Sequence, residues 1–204
     1  MIRLHDPYSF EASKVFWLTL AMVAVAIAIM SHWPEIKGFF QVDDFLWLHL
    51  ANWRSVPDSF VGTQGEHVAY RPVFRLSLYI DTLLFGRDAS GSHVENMVMH
   101  AMNALLLAVL LRAFRVSLSI CAAAALLFAL APLSSEGVDW ISGRTVVLCT
   151  MFMLLSLWQW TVSLSRRSVP FTAVGWMIAA AATYEEAIVL PALCLCLAPL
   201  VCKQ

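Results

Sequence analysis

Residues 145–165, TVVLCTMFMLLSLWQWTVSLS, form 21 consecutive positions without a formal charge, stopped by Arg166-Arg167. At about 1.5 Å of rise per residue, such a run reaches across the roughly 30 Å of a bilayer's hydrocarbon. It reads as a transmembrane helix, and it has companions on both sides. Residues 116–135 are 20 uncharged positions, 15–31 are 17, 168–184 are 17 and 187–202 are 16. A sixth apolar run, about 93–111, carries polar residues near its start. The last run is short and interrupted by Pro191 and Pro199.

The composition agrees. Sixty percent of the 204 residues are hydrophobic and 13% are charged, against about a quarter charged in soluble domains. Mean hydropathy is +0.74. A soluble fold of this length could not hide so much apolar surface, so lipid must solvate part of it. A net charge of −1 and the lack of a basic run argue against a nucleic-acid partner. The five cysteines, Cys121, Cys149, Cys194, Cys196 and Cys202, are scattered through apolar stretches, which is neither a disulfide framework nor a zinc ligand set. The expected fold is therefore all-α: one polytopic transmembrane helical bundle over residues 1–204. Its spans are expected at about 15–33, 93–111, 116–135, 145–165, 168–184 and 187–202, with a long loop at 34–92.

Charge bias orients the bundle. With the N-terminus in the cytoplasm, the inner segments hold Arg3, Lys14, Arg112, Arg115, Arg166, Arg167 and Lys203, while the two short outer loops hold only Arg144. The positive-inside rule favours that arrangement. The chain is expected to be an integral membrane protein with a cytoplasmic N-terminus, and a run ending His32-Trp33-Pro34 reads as a retained span and not a cleaved signal.

The long extracytoplasmic loop is expected to carry two surface helices joined by a turn-rich connector at 55–67. The first follows Val42-Asp43-Asp44 and is rich in aromatics up to Trp53. The second runs from Pro72 to Gly86, with proline suited to a first turn and glycine to an end. It is too short to span and holds Arg75 and Asp81, each costing about 2.5–3.5 kcal/mol at a membrane centre. Asp43 and Asp44 have two readings. One of them caps the helix beginning at Phe45, or the pair supplies a catalytic base or metal ligand above the spans.

At 100° per residue, His93, Asn96, His100 and Asn103 share an 80° arc at the start of the second span. Such a stripe must face protein or water, either to bond neighbouring helices or to build a site. The i, i+7 histidine spacing is not the i, i+4 pair that suits zinc. The next outer loop holds Glu136, Trp140 and Arg144. Arg144 opens an uncharged 20-mer and is poised to hold an anion at headgroup level. The last outer turn is Thr183-Tyr184-Glu185-Glu186.

In this order the pieces resemble the amino-terminal half of GT-C glycosyltransferases, most closely the tetratricopeptide-linked transmembrane O-mannosyltransferases and their bacterial relatives. The matching residues are Val42-Asp43-Asp44, Tyr70-Arg71-Pro72 with Phe85-Gly86, and His93-x-x-Asn96-x-x-x-His100. They continue with Glu136-x-Val138, Ile141-x-Gly143-Arg144, and an acid-containing turn before Ala187-Ile-Val-Leu-Pro191. The resemblance covers about residues 15–195. It implies transfer of a sugar, expected to be mannose, from a polyprenyl-phosphate donor in the membrane lipid to an acceptor hydroxyl on the extracytoplasmic face, with inversion. It also implies roles: Asp43 or Asp44 as the base, Arg71 and Arg144 on the donor phosphate, and His93, Asn96, His100, Glu136 and Glu185 shaping the site. No cofactor is required by the sequence, and a divalent metal is left open. The membrane is read as a bacterial inner membrane in preference to the endoplasmic reticulum.

Two departures bear on that reading. The family has a lysine before the acid of the last turn, where this chain has Tyr184. Family members also continue with further spans and a repeat domain, so this chain is expected to be a compact or truncated form. The alternative is a non-catalytic subunit or remnant that acts through a partner membrane chain. A small transporter fits less well, since the charges lie outside and not at the midplane.

Overall fold

The computed structural model describes residues 7–62, 69–131 and 135–202. Their regular structure is entirely helical. In order come α1 (Pro7–Ser31), α2 (Val42–Leu50), α3 (Ser55–Val61), α4 (Pro72–Leu84), α5 (Ala89–Ala113), α6 (Leu118–Leu130), α7 (Ser135–Asp139), α8 (Arg144–Ser165), α9 (Phe171–Ala181) and α10 (Leu190–Cys202). Short 3-10 turns at Trp33–Lys37 and Glu185–Val189 follow α1 and precede α10.

Three helices are long and apolar enough to cross a membrane: α1 over Lys14–Ser31, α5 and α8. They mark the chain as an integral membrane protein. Two of the other expected spans are shorter apolar helices, α6 and α9. With α10 they hold 13, 11 and 13 residues, so each rises only about 16–20 Å. Turn chemistry takes the remaining positions: the expected runs at 168–184 and 187–202 give up their first residues to the turns before α9 and α10. Residues 132–134 of the run at 116–135 lie outside the described residues, as do 1–6, 63–68 and 203–204, with Arg3, Asp6, His67 and Lys203 among them.

The expected connector is corrected over its first half. Residues 55–61 form α3, with Gly62 at its C-cap in the left-handed region at φ 72°. Proline in a first turn and glycine just past the last are helix signals as much as turn signals. So the loop carries three α-helices among its described residues. The second expected span starts earlier than position 93, because Asp88 caps α5 by accepting the Ser90 N–H at 3.0 Å. At the opposite end, α5 and α8 stop the same way. Arg115 and Arg167 adopt left-handed backbone (φ 62° and 51°), and Val116 and Ser168 donate to Leu111 and Ser163 O across the turn.

Packing follows membrane rules, in which lipid gives no hydrophobic reason for helices to associate and small residues let backbones approach. Ala104 and Ala108 of α5 meet Cys121, Ala125 and Ala129 of α6 and Leu20 of α1 in one cluster. On the other side, α8 packs along α9 and α10 through Cys149, Leu157, Ala180, Leu190 and Cys194. Polar tethers cross the bundle: Asn103 donates to Val147 O at 2.8 Å, and Ser156 Oγ to Ala173 O at 2.8 Å. The helices α2 and α4 sit over one end of this bundle on a small core of Trp47, Phe74, Leu78 and Ile141. Val73 at the start of α4 donates to Ala182 O at 3.0 Å, which pins α4 to the end of α9.

Candidate functional site

The end of the bundle where α1 finishes and α5 and α8 begin gathers the polar chemistry. Its deepest element is Arg144, the first residue of α8, which is 0% exposed. Its Nε donates to Asn96 Oδ1 at 2.8 Å and its Nη2 to Ser92 O at 3.1 Å. Its Nη1 lies 2.7 Å from Asp81 Oδ1, and Nη2 lies 3.5 Å from Glu95 Oε2. Ser92 Oγ in turn donates to Asp81 Oδ2. Arg144, expected to hold an anion at headgroup level, is buried, its guanidinium turned into α4 and α5 toward carboxylates the chain itself supplies. Asp81, Ser92 and Glu95 were not singled out as its partners, and no local spacing could have paired residues so far apart in the chain.

The polar stripe of α5 faces protein. His93, Asn96, His100 and Asn103 are all at most 2% exposed. Asn96 holds Arg144 from one side and donates to Trp140 O at 3.0 Å from the other. His100 stacks on Phe128 of α6, centroids 5.0 Å apart. His93 packs close to the backbone at Gly38, where an added Cβ would stand 3.2 Å from its Nε2. At the end of α1, His32 is hydrogen-bonded to Asp139 of α7.

The two adjacent acids of α2 have different fates. Asp44 is 1% exposed. Its Oδ2 accepts the Gln41 N–H at 2.8 Å, completing a capping box, and its Oδ1 accepts the Ser142 N–H at 2.7 Å. Both oxygens are taken up in holding α2 to the turn before α8. Asp43 is exposed and lines a cavity of about 190 Å³ with Trp47, Arg71, Glu136, Trp140 and Thr145. The floor of that cavity depends on glycine. A Cβ at Gly143 would stand 2.3 Å from Glu136 O and 2.9 Å from the Gly137 backbone, so α7 and the start of α8 approach this closely only without one.

Arg71 is held on three sides. Its Nε and Nη2 meet the two carboxylate oxygens of Glu185 at 3.1 and 2.9 Å. Its Cζ lies 4.5 Å from the centre of the Tyr184 ring and 5.6 Å from that of Trp47. Burial alone would raise the Glu185 carboxyl, but the Arg71 hydrogen bonds outweigh it and hold the group below the ordinary carboxylate range. Tyr184 therefore contributes a ring face under Arg71.

A second, mostly apolar cavity of about 250 Å³ opens between α5, α6 and α8, lined by His100, Asn103, Phe128 and Val147 among others. Gly137 and Val146 line both cavities, so only that wall separates the polar cleft from the apolar groove. Among the described residues no group of three His, Cys, Asp or Glu is placed to hold a metal ion.

The chain is distantly and partially similar to the TMTC protein O-mannosyltransferases, a GT-C family. It is 33% identical over 116 residues to the protein O-mannosyl-transferase tmtc2 of Xenopus laevis, an overlap of 57% of this chain and 14% of that protein. TMTC2 of Mus musculus is 30% identical over 114 residues, 56% of this chain and 14% of its own length. The protein O-mannosyl-transferase F38B6.6 of Caenorhabditis elegans is 30% identical over 100 residues, 48% of this chain and 14% of its own. The chain thus matches 14% of the length of these curated relatives. No protein-family model matches it, and no solved structure does.

Proposed function

We propose that this chain carries a GT-C-type glycosyltransferase active site. It would transfer a sugar, mannose by analogy with its relatives, from a polyprenyl-phosphate to an acceptor hydroxyl. The observation that carries this reading is the cleft in which Asp43, Arg71 and Glu136 meet beside Trp47 and Trp140. Asp43 is the base: it is exposed to the cleft, whereas Asp44 is buried and both its oxygens already accept backbone N–H groups. Asp44 positions α2 beneath it. The acceptor oxygen, losing its proton to Asp43, attacks the anomeric carbon, and the lipid phosphate leaves with its bonding electrons toward Arg71. Glu136 and the α5 stripe shape the site, with Arg144 acting as an internal clamp on α4, α5 and α8.

The apolar groove beside His100 and Phe128 suits the isoprenoid chain, one wall away from the phosphate. The Arg112, Arg115, Arg166 and Arg167 turns at the far ends of α5 and α8 support a cytoplasmic placement of that end. The cleft then opens on the other face of the membrane, a bacterial inner membrane by our reading. In this arrangement α6, α9 and α10 complete their crossings with the turn residues that flank them, giving six spans in one membrane domain.

A second reading, a subunit that completes its site with a partner membrane chain, draws on the Glu185 carboxylate that already closes the Arg71 edge. The two separate in membranes containing this chain alone, supplied with polyprenyl-phosphate mannose. Transfer that disappears in an equally abundant Asp43→Asn variant supports the enzyme. An absence of transfer by the wild type, restored by a co-expressed membrane chain, supports the subunit.

A further inference from the structure

Arg75 stands one helical turn after Arg71 on α4 and is 1% exposed. Its Nε and Nη1 are buried without a hydrogen-bond partner. No carboxylate pairs with it among the described residues. The group it meets is Trp47, whose ring centre lies 5.5 Å from its Cζ, and the same ring lies 5.6 Å from the Cζ of Arg71. One indole therefore serves two guanidinium groups, while the one carboxylate beside them, Glu185, pairs with Arg71 alone.

This is an unusual arrangement for a resting protein. Arginine keeps its charge at every physiological pH, and a buried charge without a counter-ion is costly. A cation–π contact compensates only part of that cost. The contrast with Arg144, equally buried but provided with two carboxylates and two hydrogen-bond acceptors, shows how this fold treats an arginine whose task is internal. The Glu185–Arg71 contact is planar and two-pronged, the geometry that a phosphate makes with the same guanidinium. Glu185 is largely exposed and sits on a turn between α9 and α10, so moving it aside breaks no core packing.

We infer that Arg71 and Arg75 form a two-guanidinium site for a phosphate-class anion, with the Glu185 carboxylate the resident occupant of the Arg71 edge until that anion enters. Arg75 supplies the charge that Glu185 does not answer. The site deepens the proposed function, since the donor phosphate is the ligand that reading brings to it, but its binding chemistry can be measured without any sugar transfer.

The test uses the purified full chain in uncharged detergent, with dodecyl phosphate and inorganic phosphate as probes and Trp fluorescence or calorimetry as the readout. Arg75→Gln and Arg75→Met are expected to weaken dodecyl phosphate binding roughly tenfold or more. Glu185→Gln is expected to tighten it by up to about fivefold, since it removes an exposed competing pair. Without ligand, both Arg75 variants are expected to melt at or above the wild-type temperature, because an unpaired buried charge has gone. Displacement of dodecyl phosphate by inorganic phosphate would show that the headgroup suffices; binding of the alkyl ester alone would show a lipid source. Three results would overturn the site: no binding of either probe to the wild type, unchanged affinity in the Arg75 variants, or variants that melt several degrees lower or fail to accumulate. Binding that behaves as expected in a chain that transfers no sugar would leave the site standing and remove the enzymatic reading.

Discussion

Arg71 and Glu185 meet edge to edge, two nitrogens to two oxygens at 3.1 and 2.9 Å, although 114 positions separate them in the chain. The pair joins the first long loop to the turn between α9 and α10 at the mouth of the cleft. Its energy is small. Glu185 is mostly exposed, so the pair contributes about 0.2–1 kcal/mol.

The pair gives a pH signature of known sign. Glu185 titrates below its ordinary value of 4.5 in the folded chain, so its contribution is present above that value and is lost as pH falls through the lower folded value. The melting-temperature gap between wild type and Glu185→Gln is expected to stay constant from pH 7 to about 5.5, then to shrink below about 4.5. A gap that grows on acidification would contradict the pairing.

Arg144 is expected to respond very differently. Arg144→Ala leaves Asp81 and Glu95 facing each other around an empty position, at a cost of about 3–5 kcal/mol. Arg144→Lys is expected to rescue little, since one ammonium cannot reach Asp81, Asn96 and the Ser92 carbonyl together. The double change Arg144→Met with Asp81→Leu should cost less than Arg144→Ala, because it removes the buried Asp81 carboxylate together with the guanidinium and leaves only the part-exposed Glu95. Thermal unfolding in detergent, followed by loss of the monodisperse peak, ranks the three variants.

Asp43 and Asp44 separate by the property each loses. Asp44→Asn keeps one acceptor oxygen for two backbone donors, so either Gln41 or Ser142 N–H is left unpaired, at about 1–3 kcal/mol. Asp43→Asn touches no such tether and is expected to leave the melting temperature within a degree or so of wild type. Circular dichroism melts of the two variants side by side decide between the roles, and equal destabilisation would count against the assignment of Asp43 to the cleft.

Two glycines should behave oppositely. Gly143→Ala places a methyl 2.3 Å from a backbone oxygen, which no rotamer change can relieve, and about 1–3 kcal/mol of overpacking is expected. Gly175 lies inside α9 with nothing within 4 Å of an added Cβ. Gly175→Ala is expected to be neutral or to stabilise by up to about 1 kcal/mol, as alanine costs less helix entropy. Comparative melts of the two alanine variants measure both.

The sequence made the long helices legible because charge-free length is a property of contiguous residues. Residues 145–165 became α8 over Arg144–Ser165, and the 80° polar arc of α5 became four buried side chains. What it left unread was long-range pairing. Arg144 looked available because its carboxylates sit on α4 and α5, and nothing local shows that Arg75 lacks a counter-ion. The helix α3 was concealed by Pro57 and Gly62, which mark turns and helix ends alike. The neighbouring acids Asp43 and Asp44 could not be told apart without knowing that Ser142 reaches only one of them.

The Asp44–Ser142 tether also says something about how the molecule is made. Its two ends are 98 residues apart, and a ribosome adding about 5–20 residues per second needs roughly 5–20 s to synthesise the stretch between them. Throughout that interval α2 has emerged without the backbone amide that anchors it. The cleft is therefore a late product of biosynthesis, assembled when α8 enters the bilayer and brings Ser142 to a carboxylate that has been waiting at the surface.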